Sequence, residues 1–401
     1  MIAERIRYLT EEKLVFPSNI LVLTFSKAAA GEMKERYVKA YGRSTERLTF
    51  GTFHSVFLSI LLKAGRYRFS AVAEKQDRIR AVQKAALRKY KKPVFSADMS
   101  AVVCDEISRV KNGMGTTLPE AAALLKEYDE VLSEQNMIDY DDMLLTAFRL
   151  LCEDRDLLNE VRNTYRYILV DEFQDINRVQ YDLIRLISAP KYNAFCVGDD
   201  DQSIYGFRGS EPAYMKRFPH DFKNCRIIRL EINYRSSEEI VRISSRLITH
   251  NKNRYEKHLK SFSGKGGIPV VAKLRDPSAE ASYIQEKAKP VLAEKKTVAV
   301  LVRTNRALEE IRDLMDEGIR KHISFHTFHS AKGLEFDAVF VAGMNEELIP
   351  GQNAGSFAAL EEERRTFYVA LTRARKCLYI LYTANYRDRA VLPSRFLSEL
   401  T

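Results

Sequence analysis

The 401 residues exceed what one hydrophobic core usually organises, about 250 to 300 residues, so more than one domain is expected. Hydrophobic residues at 45% and charged residues at 29%, with no run near the roughly 20 apolar residues of a bilayer-spanning helix, exclude helical membrane and fibrous classes. Sixty-four Lys and Arg against 54 Asp and Glu leave a net charge of +10, an excess that favours a polyanionic partner.

Ile2, Ile6 and Leu9 recur at helical spacing in a charged first segment without an apolar signal core, so no secretion signal is visible. "NILVLTF" (19–25) reads as a short buried strand between Pro17 and Ser26, and "KAAAGEMKERYVKAY" reads as a helix. From about 66 to 148 the chain turns rich in Lys, Arg, Ala and Leu, broken at Pro93 and "KNGMGTTLPE", which predicts a helical insertion. "YILVDE" and "AFCVGD" (194–199) follow as strands ending in acids, with a helical segment 177–188 between them. Further strands are expected at "RIIRLEINYR" from 226, "IPVVAKL" (268–274), "TVAVLVR" (297–303), "AVFVAG" (338–343) and "CLYILYT" (377–383). Such alternation predicts an α/β fold of two parallel-sheet lobes, the helical insertion interrupting the first. Cys104, Cys152, Cys196, Cys225 and Cys377 are scattered, odd in number and without a CxxC pair, which fits a reduced cytoplasmic setting better than disulfides or a zinc site.

"ILVDEFQD" (168–175) drops three apolar residues straight into Asp171 and Glu172. Ligands of open parallel sheets sit beyond the carboxyl ends of strands. A Mg²⁺ ion takes one or two carboxylates plus substrate phosphates, and a neighbouring acid can activate water, so Asp171 is the metal candidate and Glu172 the base. A solvated turn after a strand is the alternative for a bare Asp-Glu pair.

The wider string is more specific. "VDEFQDIN" (170–177), "VGDDDQSIYGFRG" (197–209), "NYRS" (233–236), "TFHSAKGLEFDAVFVAG" (327–343) and "EEERRTFYVALTRAR" (361–375), in this order, resemble the UvrD/Rep family of superfamily 1 DNA helicases. "ILVLTFSKAAAGEMKERY" (20–37), "TFGTFHSVF" (49–57) and "MIDYDDML" (137–144) extend the match over nearly the whole chain. The resemblance implies two RecA-like lobes of the P-loop NTPase type: residues 1–65 and 149–225 as the first (1A), 66–148 as its 1B-like insertion, and 226–401 as the second (2A). Only 21 residues separate Asn305 from Thr327, where larger relatives carry an accessory 2B domain, so that domain is expected to be absent.

Motors of this family bind ATP between their lobes and cradle its phosphates in a G-x-x-x-x-G-K-[ST] loop. No such string occurs here. In "FSGKGGIPV" (262–270), Gly266 replaces the Ser or Thr and Leu259 the first Gly; in "SAKGLEF", Ala331 precedes Lys332. Family members place the loop just before a helix similar to "IAERIRYLTEEK", so the expectation is that loop and strand lie upstream of Met1, and that residues 1–401 alone hydrolyse ATP negligibly.

By resemblance, Arg235 and Arg373 supply the cations that meet charge developing on the γ-phosphate, and Gln202 senses that phosphate. Tyr234 stacks on the base and Glu335 contacts the ribose; the alternatives are a core tyrosine and a turn acid. The expected cofactors are ATP and Mg²⁺. Phe25, Phe53, His54, Phe207, Arg208 and His329 are the candidate contacts to single-stranded DNA, or to duplex with a 3′ single-stranded tail, where aromatic faces stack on bases. Phe25, Phe53 and His54 could instead be core residues. Tyr386, in a short tail, is a candidate strand-separating pin. The implied activity is that of an ATP-dependent 3′ to 5′ DNA helicase or translocase moving on single-stranded DNA; the alternative is a non-catalytic DNA-binding or interaction remnant of such a helicase.

Overall fold

The computed structural model describes residues 1–42, 47–65, 72–206, 209–352, 354–387 and 389–400. The chain forms two compact units, residues 1–199 with 205–226, and residues 200–204 with 227–401.

In the first unit, α1 (Ile2–Arg7) leads through one π-helical turn to β1 (Ile20–Thr24), then α2 (Lys27–Tyr41), β2 (Thr49–Thr52) and α3 (Phe53–Lys63). After the insertion come α7 (Tyr140–Glu153), α8 (Arg155–Thr164), β3 (Tyr167–Val170), α9 (Arg178–Ser188), β4 (Ala194–Cys196) and α10 (Ala213–Asp221). The four strands form a wholly parallel sheet in the order β2-β1-β3-β4. Both faces are covered, because alternate residues feed different cores. Leu21, Leu23, Ile168 and Val170 pack with α3, α7 and α9; Ile20, Val22 and Leu169 pack with Ile2, Ile6, Leu9 and Tyr37. Register pairs Thr24 with Thr52 and Leu23 with Val170, so Phe25, Phe53 and Asp171 emerge together at the carboxyl edge.

The insertion is three helices, α4 (Lys75–Tyr90), α5 (Ala97–Lys111) and α6 (Pro119–Glu134), around a core that includes Val82, Ile107, Leu124 and Tyr128. It is shorter than the expected 66–148. Ile138 and the apolar face of α7 (Met143, Leu144, Ala147, Leu151) pack with the sheet instead, since their heptad-like spacing continues the core around Phe57.

In the second unit, β5 (Ile232–Asn233), α11 (Glu238–Ile248), β6 (Lys260–Ser261), β7 (Val270–Leu274), α12 (Pro277–Ala293), β8 (Val298–Val302), α13 (Asn305–Asp313), α14 (Glu317–Arg320), β9 (Ser324–Thr327), β10 (Phe336–Val341), α15 (Phe357–Leu371) and β11 (Ala374–Thr383) follow in order. A small hairpin, β12 (Asn385–Tyr386) with β13 (Arg389–Ala390), closes the unit. The main sheet is parallel in the order β7-β11-β10-β8-β9, and again alternate residues (Leu301, Val339, Ile380 against Val300, Phe340, Leu381) feed opposite cores. Two expectations fail here. The strand expected from 226 shrinks to Ile232–Asn233, with Ile227, Ile228 and Leu230 exposed. Asp200–Ile204, read as first-lobe sequence, groups with the second unit because cations of that unit hold it. Among the described residues no helix is long and apolar enough to cross a membrane.

Candidate functional site

At the carboxyl end of β3, the Asp171 amide donates to Leu23 O at 3.0 Å, which continues the ladder one residue past the strand. Glu172 then takes a left-handed conformation (φ 50°, ψ 43°), uncommon for a residue with a Cβ and characteristic of functional turns. Gln174 locks the turn: its side-chain amide donates to Glu172, and its Oε1 accepts from Asp199 N at 2.9 Å. Gly198 packs closely beside it: a Cβ there would lie 2.7 Å from Gln174 Oε1 and displace that oxygen from its place in the turn. Burial, followed by the Glu172 charge, pushes the Asp171 carboxyl up to about 6; the amino terminus and Arg36 offset part of this. A buried carboxyl beside a second hard oxygen donor is what a divalent cation relieves, so the residues fit Mg²⁺.

The same edge of the first unit opens into a cavity of about 700 Å³ whose walls include Phe25, His54, Arg109, Asn112, Tyr140 and Asp175. Phe25 stacks on Tyr205, centroids 5.0 Å apart and planes 17° off parallel. His54 meets the Tyr140 ring edge-on at 5.6 Å, and burial lowers its pKa. Phe53 is 3% exposed and packs in the core around Leu21 and Phe57, and it also lines this cavity. Phe207 and Arg208 lie outside the described residues.

In the second unit Glu335 and Arg373 sit at the amino ends of β10 and β11. Phe336 N donates to Arg373 O, aligning the two strand starts. Arg373 is 1% exposed: its Nε donates to Val369 O (2.9 Å), Nη1 to Leu334 O (3.2 Å) and Nη2 to Gln202 Oε1 (3.3 Å). One residue on, Glu335 accepts from Arg235 Nε at 2.6 Å and also pairs with Arg375, and these two guanidinium groups, Arg375 first, hold its pKa down at about 2. Tyr234 is 67% exposed, which removes the core-packing alternative. His329 is half-buried in the turn after β9. Gln202 sits on a segment gripped along its length: Lys332 Nζ donates to Gln202 O (2.9 Å), Arg365 Nε to Ser203 O (2.8 Å), and Asp200 and Asp201 pair with Lys257 and Arg254.

Residues 1–223 match the model of the UvrD/REP helicase N-terminal domain, and 228–322 with 312–385 match the UvrD-like helicase C-terminal domain. The chain belongs to the UvrD/REP helicase family. The boundary between the two matched regions falls where the two compact units meet in sequence. A probable DNA helicase of Mycoplasma pneumoniae is 30% identical over 99% of this chain and 81% of its own length. DNA helicase II of Rickettsia typhi is 34% identical over 77% of this chain and 50% of its own length; the ATP-dependent DNA helicase PcrA of Staphylococcus epidermidis is 32% identical over 77% and 45%. The chain thus spans about half the length of the latter two.

Within this UvrD/REP chain, the sequence reading missed the partners that set each predicted side chain. Tyr205 lies in the quoted "SIYGF" string, and its aromatic ring two residues before Phe207 was the available signal. Arg375 was visible in "TRAR" but indistinguishable there from a surface arginine. Arg254 and Lys257 had no signal, because their carboxylate partners are more than 50 residues away. Tyr386 is less free than a pin requires: its hydroxyl bonds Glu310, and the Arg387 guanidinium lies 5.0 Å from its ring centroid.

Proposed function

We propose that this chain carries most of an ATP-driven motor that moves 3′ to 5′ along single-stranded DNA. The observation that carries the reading is the convergence of two guanidinium groups, Arg235 and Arg373, on the adjacent residues Glu335 and Leu334, with Gln202 beside Arg373. Cations so grouped suit a triphosphate whose charge grows at the γ-phosphate in the transition state. Glu172 is the base that orients the attacking water and Asp171 the metal ligand. A Mg²⁺ ion held there would neutralise β- and γ-phosphate charge. Tyr234 stacks on the base and Glu335 reaches the ribose. Phe25, with Tyr205, and His54 form the DNA-facing wall of the first lobe, with Phe207, Arg208 and His329 as further contacts.

In this reading residues 1–65 and 149–225, with α7, act as lobe 1A, the helices between Lys75 and Glu134 as 1B, and 226–401 as 2A without a 2B domain. The 401 residues contain no G-x-x-x-x-G-K-[ST] string, which also supports the second reading, a DNA-binding member without a motor. Fluorescence anisotropy with labelled oligo-dT and a phosphate-release assay test both. Expected are tight single-strand binding that weakens steeply with salt and negligible turnover by this chain. Robust DNA-stimulated turnover would overturn the second reading and the need for the loop; failure to bind oligo-dT at low salt would sink both readings.

A further inference from the structure

We infer that Phe262 is a second aromatic face of the nucleotide's base site, adjoining Tyr234 to make a two-ring platform for a purine. This rests on the nucleotide-binding reading of the same site.

Single exposed aromatics are ordinary, and Phe16 and Phe357 are examples, but two exposed rings in contact make a patch that a ligand can cover. Tyr234 and Phe262 are 67% and 70% exposed, and their rings touch, centroids 4.8 Å apart and tilted by 42°. The contact is built by the backbone. β5 and β6 pair Ile232 with Lys260 and Asn233 with Ser261, and Phe262 N then donates to Asn233 O at 2.8 Å. Ser263 Oγ donates to Tyr234 O at 2.8 Å, and Ser261 Oγ to Ser236 O at 2.7 Å. Asn233 Oδ1 meanwhile accepts from the amides of Arg235 and Ser236, both at 2.9 Å. The segment bearing Tyr234 and Arg235 is therefore laced to the one bearing Phe262. Two rings fixed in place lose little entropy when a ligand lands on them, which favours binding.

Composition and charge select the occupant. The faces are aromatic, the chemistry that stacks on planar bases. Next to Tyr234 in sequence, Arg235 shares the single carboxylate Glu335 with Arg375, so the rim carries a net positive charge. An apolar peptide would not call for that rim; a base bearing anionic phosphate does. The tilt leaves no slot between the rings, so a purine would lie across one and against the other rather than between them.

The chain has no tryptophan, so Phe262→Trp introduces its sole indole. ATP added up to millimolar concentration is expected to quench that indole saturably, whereas ribose 5-phosphate, which lacks a base, is not. In ligand-observed NMR on the otherwise unmodified chain, Phe262→Ala is expected to weaken ATP binding at least about fivefold, Phe262→Leu similarly, and Phe262→Tyr to restore it. With its side chain mostly exposed, Phe262→Ala is expected to melt with the parent, which separates lost stacking from lost folding. ATP affinity unchanged in Phe262→Ala but weakened in Tyr234→Ala would overturn the inference and leave the nucleotide reading intact. No ATP binding by the parent chain would overturn both.

Discussion

Arg254 grips Asp201 with both arms of its guanidinium, Nε to Oδ1 at 2.8 Å and Nη2 to Oδ2 at 2.7 Å, with the carboxylate side chain 1% exposed. Lys257 Nζ bridges the same carboxylate (2.8 Å) and Asp200 (2.6 Å), so two buried acids meet two cations. A buried pair contributes modest net stability when intact, but removing one partner strands a charge and costs about 3 to 5 kcal/mol. Arg254→Met is therefore expected to lower the urea midpoint of the second unit sharply. Asp201→Asn in that background should recover only part of the loss, because Lys257 still meets the Asp201 carboxylate at 2.8 Å when Arg254 is gone. With Asp201→Asn alone completing the cycle, a double-variant loss equal to the sum of the two single losses would show that the pair is not coupled.

Lys111 makes a comparable hub in the first unit. Its ammonium, 2% exposed at the end of α5, meets Asp129 at 2.8 Å, Asp139 at 2.9 Å and Asp142 at 2.5 Å. Asp139 and Asp142 belong to the start of α7, so this one side chain ties the insertion to the sheet-bearing core. Burial and the neighbouring Asp139 already push Asp142 up to about 6. Lys111→Met is expected to destabilise by about 3 kcal/mol or more. Hydrogen exchange should quicken first in α5 and α6, and unchanged protection there would count against the hub.

The strands and helices of both lobes were readable because their cores depend on local periodicity: β1 and β8 are continuous apolar runs, and α2 matches its segment end to end. The segment from 226 misled for the same reason. Ile227, Ile228 and Leu230 look like a strand, but pairing is a property of neighbours and only two residues find one. Asp171 and Glu172 were legible as a strand-end pair, whereas the left-handed turn at Glu172, the Gln174 lock and the Gly198 contact are non-local. The core packing of Phe53 was not legible, since the same Phe serves a core or a stacking face and burial is a property of neighbours.

Tyr205 offers the sharpest test of the proposed DNA wall, because its ring already stacks on Phe25. Tyr205→Ala is expected to weaken oligo-dT binding by about 1 to 3 kcal/mol, and Tyr205→Trp to retain it. No phosphate contact is lost, so the slope of log affinity against log salt should be unchanged while the line shifts downward. A reduced slope in an anisotropy salt series would mean that Tyr205 acts on the backbone rather than on a base.

Glu280 links folding of the second unit to pH. It sits in the first turn of α12, 3% exposed, accepting from Gly343 N at 2.9 Å at the carboxyl end of β10, beside a void of about 30 Å³ that Glu310 and Tyr386 also line. Burial pushes its carboxyl up to about 7, and the Gly343 amide pulls the other way. The folded chain therefore holds a proton that the unfolded chain releases near the ordinary carboxylate value. Stability from this group is fully present below that ordinary value and is lost as pH rises toward 7, a few kcal/mol in all on the basis of about 1.4 kcal/mol for each tenfold change in proton affinity. Glu280→Gln stays neutral at every pH. Relative to the parent, the variant is expected to gain in melting temperature between pH 5 and 7 and to hold that gain at pH 8; a difference flat across the range would show that Glu280 is ionised in the fold.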